Sequence, residues 1–129
     1  MKRLALVLSL MLALPAVAQQ ESMPDVPQDD LAVSGTGAVL RALDKVNGRT
    51  EDLQIRSGQG ASVFGLVVEM AECRYPAENP TGDAYAFLVI REEGTQEALF
   101  AGWMIASSPA LNALDHARYD VWVLRCITS

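Results

Sequence analysis

The amino-acid sequence predicts an all-β domain, a small antiparallel barrel or sandwich of about six strands with one short helix before the last strand. Three observations predict it. Apolar side chains alternate with period two through several segments, glycine-bearing turns separate those segments, and a single helix-start signature stands near the end.

The folded part starts near Gly35. Asn47-Gly48 marks a hairpin, because a type I′ turn needs positive φ at both central residues and this dipeptide tolerates it. With those two residues as the loop, Val46 pairs with Arg49, Leu40 lies opposite Ile55, and Ala42 lies opposite Leu53. The register also sets Asp44 against Glu51, a destabilising like-charge pair that Lys45 and Arg49 would moderate.

Gly58-Gln59-Gly60 marks the next turn, and Ser62 to Cys73 reads as one long strand with Leu66, Val68 and Met70 on one face. Cys73 has the opposite parity, so either a bulge at Gly65 or Ala71 intervenes or the cysteine sits at a rim. Pro76 to Asp83 is a loop. Ala84 to Arg91 is apolar on both parities, the pattern of a central strand covered on both sides. Glu93-Gly94-Thr95 turns the chain and Glu97 to Ile105 returns it. Ser108-Pro109 then reads as N-cap and first helical residue, with Leu111 and Leu114 on one buried face. Tyr119 to Cys126 is the last strand, with Trp122, Leu124 and Cys126 sharing a face.

The first residues address the compartment. Lys2 and Arg3 precede an apolar run from Leu4 to Leu14, Pro15 ends it, and Ala16-Val17-Ala18 supplies a signal-peptidase site. A run that short does not cross a hydrocarbon core as a helix, which needs roughly 20 residues. Residues 1–18 are therefore expected to be a signal peptide cleaved after Ala18, residues 19–34 a disordered polar leader, and residues 35–129 a single β domain in the periplasm. The whole chain carries 10 basic and 16 acidic residues, and loss of Lys2 and Arg3 takes the net charge from −6 to −8. That balance repels phosphate backbones and anionic headgroups, which argues against nucleic-acid and electrostatic membrane binding.

Cys73 and Cys126 are the two cysteines. In an oxidising compartment an isolated pair reads as a disulfide; it would close a loop of about 53 residues, worth roughly 4 kcal/mol on the chain-entropy model. A redox pair would normally be Cys-X-X-Cys, and two cysteines with one histidine are too few for tetrahedral zinc.

Few residues offer chemistry. His116 is the single histidine, with Asp115 and Ser108 nearby in sequence. Adjacent Asp and His side chains point apart, whereas a triad needs the carboxylate on the far imidazole nitrogen, and no Gly-X-Ser-X-Gly elbow is present. An exposed Asp-His turn is the reading preferred, with a hydrolase on Ser108 and His116 the weakest alternative. Gly35-Thr36-Gly37 and Gly58-Gln59-Gly60 lack the strand–helix context of a phosphate loop. Asp29-Asp30 and Glu92-Glu93 lack calcium-loop spacing. No cofactor is indicated. Trp103, Trp122, Tyr85, Phe87 and Phe100 are expected to be core, or else to line the cavity of a small apolar-ligand barrel.

The block Leu99 to Leu111, with its Gly102-Trp103-Met104 and Ser107-Ser108-Pro109-Ala110-Leu111, resembles the signature of a family of small exported bacterial proteins, domain-of-unknown-function family 2155. Ala113 to His116, Tyr119 to Leu124, Leu40 to Lys45, Gly48-Arg49-Thr50 and Cys73 before its Pro-containing loop continue the resemblance. It implies a shared fold and an exported location and assigns no catalytic residue or ligand. The function expected is thus an exported, non-enzymatic interaction module or accessory factor of an envelope or inner-membrane complex. Its partner would be another envelope protein, and Trp103, Trp122 and His116 are the candidate contact residues.

Overall fold

Alternating apolar residues commit most of this chain to strands, and turns take the rest. The computed structural model describes residues 31–128. The expected signal peptide and most of the expected leader lie outside the described residues. Eight strands form: β1 (Ala32–Ser34), β2 (Gly37–Asp44), β3 (Arg49–Arg56), β4 (Gln59–Val63), β5 (Leu66–Pro76), β6 (Tyr85–Glu92), β7 (Ala98–Ile105) and β8 (Tyr119–Ile127). In the first sheet β5, β6 and β7 follow one another, and the other edge of β5 is shared by β4 and β1. The second sheet has the order β3-β2-β8, and every pairing is antiparallel.

The two sheets pack as a sandwich and do not close into a barrel. The chain changes sheet at Gly35–Thr36 and again at Ser57–Gly58. At the first, Gly35 N donates to Cys73 O in one sheet (2.7 Å) and Thr36 N to Ile127 O in the other (2.8 Å). At the second, Ser57 N bonds Thr36 O (3.0 Å) and Gly58 N bonds Met70 O (2.8 Å). Gly35 is required by this close approach, since a Cβ there would stand 2.6 Å from Ile127 O.

The inner faces fill the space between the sheets. Leu40, Leu66, Val68, Leu88, Ile90, Val121 and Val123 are all essentially inaccessible. Each buried side chain of that kind contributes about 1.5–3 kcal/mol relative to exposure. Cys73 on β5 and Cys126 on β8 join the two sheets as a disulfide with a Cα–Cα distance of 5.7 Å.

Several sequence expectations need correction. Among the described residues the strand count is eight rather than about six. One added strand is β1, which occupies positions 32–34 of the expected leader and pairs with Arg74–Pro76. The other comes from a turn at Phe64–Gly65 that divides the expected long strand into β4 and β5. Phe64 has φ 49° and Gly65 φ 79°, the positive pair a tight hairpin needs.

In the β2–β3 hairpin the loop is Lys45–Gly48, four residues instead of two, so Asp44 pairs with Arg49, Leu40 with Leu53 and Ala42 with Glu51. The shift is two residues, which preserves the faces and changes every partner. Side-chain acceptors hold the longer loop: Asp44 Oδ1 takes Val46 N (3.0 Å) and Asn47 Oδ1 takes Arg49 N (2.9 Å). The shift also replaces the Asp44/Glu51 clash with an Asp44/Arg49 pairing.

No helix follows Pro109. The segment makes only isolated turns, with Ser108 N on Ile105 O and Leu111 N on Ser108 O, both 3.1 Å. Ser107 is drawn away from helix geometry by Asp83, which accepts its N–H at 3.0 Å and its hydroxyl at 2.6 Å. A single turn cannot repay helix nucleation. Leu114 is buried while Leu111 is 75% exposed, so the two do not share a buried face.

Candidate functional site

On β6 the apolar residues of one parity, Ala86, Leu88 and Ile90, enter the core. Those of the other parity, Tyr85, Phe87 and Val89, lie on the outer face and are only half-buried. The expectation of a strand covered on both sides is corrected here: among the described residues no layer packs over that outer face. On β7 the partners of Tyr85, Phe87 and Val89 are Ile105, Trp103 and Ala101. These six form a continuous apolar strip.

Trp103 is its most prominent member, 40% exposed, with Phe87 meeting it edge-on at 5.5 Å between ring centroids. Such a pair is worth about 0.5–1.5 kcal/mol beyond its buried area and holds the indole in place. A depression of about 290 Å³ opens beside it, lined by Ala32, Arg74, Tyr85, Trp103 and Ile105. Charged residues border the strip, where Arg74 approaches Glu72 (3.6 Å) and Arg91 approaches Glu69 (3.9 Å).

The edge of β7 is restrained. Asn112 Nδ2 donates to Trp103 O (2.9 Å), which occupies a backbone acceptor that an added strand would use. Asp83 ties the start of β6 to the end of β7 by accepting from Ala84 N and from Ser107. Burial raises the Asp83 carboxyl, but the bonds from Ser107, Ala84 and Tyr85 outweigh it and hold the carboxyl below its usual range.

Trp122 is elsewhere. Its neighbours Val121 and Val123 point into the core, so the indole lies on the outer face of the second sheet, across from Arg41. Trp103 and Trp122 therefore face away from each other with the packed core between them, and they line no common cavity.

His116 is not an exposed turn residue. Its side chain is 18% exposed. Nδ1 accepts from Arg118 N (3.0 Å) and Tyr119 N (3.1 Å), which assigns the proton to Nε2, 3.4 Å from Glu92 Oε1. The ring stacks on Tyr119 at 5.1 Å, and Lys45 Nζ donates to the His116 carbonyl (2.6 Å). Ser108 is not among its partners; the imidazole organises the start of β8.

Beside it lies a cluster the sequence reading missed. Asp44, 4% exposed, takes Arg118 through Nη2 (2.9 Å) and Nε (3.2 Å). The Arg118 hydrogen bonds hold the Asp44 carboxyl below its usual range, against the opposing effect of burial. The Arg118 guanidinium also sits over Tyr119 (5.3 Å), Tyr119 stacks on Phe64 (5.7 Å), and Arg49 lies over Phe64 (5.7 Å). The available signal was Phe64-Gly65, a dipeptide whose glycine permits a turn. Among the described residues no group of three or more His, Cys, Asp or Glu is placed to hold a metal ion, and no helix is long and apolar enough to cross a membrane.

No solved structure matches the chain. An uncharacterized protein of Rickettsia prowazekii (strain Madrid E) is 24% identical over 94 residues, which cover 70% of this chain and 61% of that protein. This chain thus spans about three fifths of the length of that relative. Residues 38–126, from the middle of the second sheet to the disulfide on β8, match the model of a family described as an uncharacterized protein conserved in bacteria, and the chain belongs to that family, domain-of-unknown-function family 2155.

Proposed function

We propose that this protein is an exported, non-enzymatic interaction module, an accessory factor of an envelope or inner-membrane complex, and that it docks another envelope protein through the outer face of its first sheet. The observation that carries the reading is the open apolar strip around Trp103. A strand as apolar on both parities as β6 is ordinarily covered on both faces, yet Tyr85, Phe87 and Val89 border solvent and Trp103 is 40% exposed. Aromatic anchors on a rigid sheet with a charged rim are the composition of a protein-binding patch.

The expected signal peptide, the disulfide and membership of a bacterial family support the exported location. Its test is a Trp103→Lys variant in a deletion strain. The substitution lies on an outer face, so the variant keeps the melting temperature of the wild type within a few degrees and fails to complement. A photo-crosslinking residue at Ala101 gives a discrete adduct in cells, and one at Leu111 does not. Full complementation by a folded Trp103→Lys protein overturns the reading.

A further inference from the structure

The second sheet carries a different kind of surface on its outer face. Near the end where the chain changes sheets, the register sets Gln54, Val39 and Arg125 in one row, and Arg56, Gly37 and Ile127 in the next. Two adjoining depressions lie here. One of about 350 Å³ is lined by Thr36, Gln54, Arg56 and Ile127. The other, of about 340 Å³, shares Gln54 and Ile127 and adds Val39, Thr81, Arg125 and Thr128.

Val39 is 3% exposed yet stands outside the core cluster, so it forms floor rather than interior. Between Arg56 and Ile127 the middle strand has Gly37, where a Cβ would stand 2.5 Å from Ile55 O, so the β3 backbone approaches closely there and no side chain projects between the two residues. The surroundings are held in place, because Thr36 bonds Ile127 O through both its N–H (2.8 Å) and its hydroxyl (3.2 Å).

The charge here is opposite to that of the chain, which is −6 overall. The adjacent carboxylate, Asp52, is already taken by Arg41 through Nε (2.7 Å) and Nη2 (3.0 Å). Among the described residues neither Arg56 nor Arg125 lies within 4.0 Å of a carboxylate oxygen, and the Arg125 charge reaches Asp52 only as a minor addition to that of Arg41. Both are exposed, and each presents a planar fork of donors that matches a carboxylate.

They stand on the two strands flanking β2 in successive rows, two strand spacings across and two residues along, so about 12 Å apart, which an extended peptide covers in roughly four residues. Gln54 between them offers an amide to a peptide backbone. A polyanionic surface such as a lipid bilayer meets the whole negative field of the protein, whereas a short segment meets only the local arginines.

We propose that this double depression binds an acidic, extended segment of a partner protein, with Arg56 and Arg125 each taking one carboxylate. The site is on the sheet opposite Trp103 and does not depend on docking there.

The test is titration of the purified full chain, at about 50 mM salt, with a capped eight-residue peptide of alternating Asp and Ala. Arg56→Gln and Arg125→Gln each weaken binding by about tenfold, the loss of one charge-assisted pair. Arg91→Gln, on the first sheet, leaves binding unchanged, and a peptide with Asn in place of Asp does not bind. Trp103→Lys retains full peptide affinity, which separates this site from the apolar face. All these substitutions are checked by circular dichroism and melting temperature. Absence of peptide binding overturns the proposal, as does binding unaffected by both arginine substitutions. Equal affinity for inorganic phosphate or for vesicles of anionic phospholipid also overturns it, because the site would then read charge alone.

Discussion

Cys73 and Cys126 meet between the two sheets because each follows a one-residue bulge, at Ala71 in β5 and at Leu124 in β8. Along β5 the buried positions run Leu66, Val68, Met70 and then Cys73; along β8 they run Val121, Val123 and then Cys126. Were Ala71 and Leu124 paired in a regular ladder instead of bulged, each cysteine would point to the outer face of its own sheet. Thiol labelling under denaturing, non-reducing conditions therefore finds no free cysteine. The double variant Cys73→Ala/Cys126→Ala loses about 4 kcal/mol in urea unfolding on the chain-entropy estimate for a 53-residue separation. Deletion of Ala71 removes the extra residue and leaves Met70, Glu72 and Cys73 in strict alternation with Cys73 still on the inner face, so the bridge persists in that variant and labelling again finds no free thiol.

These bulges mark where the sequence was legible and where it was not. Cys73 broke the parity of Leu66, Val68 and Met70, so an irregularity at Ala71 could be anticipated. The bulge at Leu124 left no such trace, because Trp122, Leu124 and Cys126 form an equally apolar set; the structure instead places Val121, Val123 and Cys126 inward. The division of β4 from β5 was hidden for another reason. Phenylalanine rarely takes positive φ, and what supports it here is Tyr119, remote in sequence. The strand order was recoverable only in part, since β8 reaches β2 across most of the chain. The exposure of Trp103 depends on what covers β6, which no local pattern records.

Phe64 supplies an unusual test of turn chemistry. It holds φ 49° in the β4–β5 turn while its ring stacks on Tyr119. Replacement by Ala removes the ring and keeps a Cβ in the left-handed region; replacement by Gly removes both. Phe64→Gly is accordingly more stable than Phe64→Ala by about 1 kcal/mol, the reverse of the usual order within strands. Chemical denaturation of the two variants measures the difference. Gly48 and Gly94 take similar positive φ, 73° and 81°, with open space around each, so Val at either position costs a comparable amount.

Acid stability follows from Asp44, Asp52 and Asp83, whose carboxyls are all held below the ordinary value of 3.8. Hydrogen bonds from Arg118 are the chief cause at Asp44, and those from Arg41 at Asp52. A carboxyl lowered by folding adds stability that is fully present above its unfolded value and is lost as pH falls through its folded value. The melting temperature therefore holds from neutral pH down to about 5 and drops steeply below about 4. Asp44→Asn melts lower than wild type at pH 7, and its curve falls less on acidification, because one of the three linked protons is gone. Parallel acid profiles for the two proteins would remove Asp44 from this account.

The last prediction concerns His116, which the sequence placed on an exposed turn where substitution would cost within about 0.5 kcal/mol. In the structure its Nδ1 accepts two backbone N–H groups, from Arg118 and Tyr119, at the point where the chain enters β8. His116→Ala leaves both without that acceptor beside a ring that is four-fifths buried. An unsatisfied buried donor costs about 1–3 kcal/mol, and water entering the vacated space recovers part of it. His116→Ala is thus expected to lose about 1–3 kcal/mol in urea unfolding, with the Tyr119 ring less constrained. The neighbouring Asp115→Ala, whose side chain is exposed, stays within about 0.5 kcal/mol. Comparing complementation with stability separates the roles of the imidazole. If His116 only organises the start of β8, lowering the growth temperature rescues the Ala variant along with its fold. A variant that is folded at the lower temperature and still fails would instead place the imidazole in a contact with a partner.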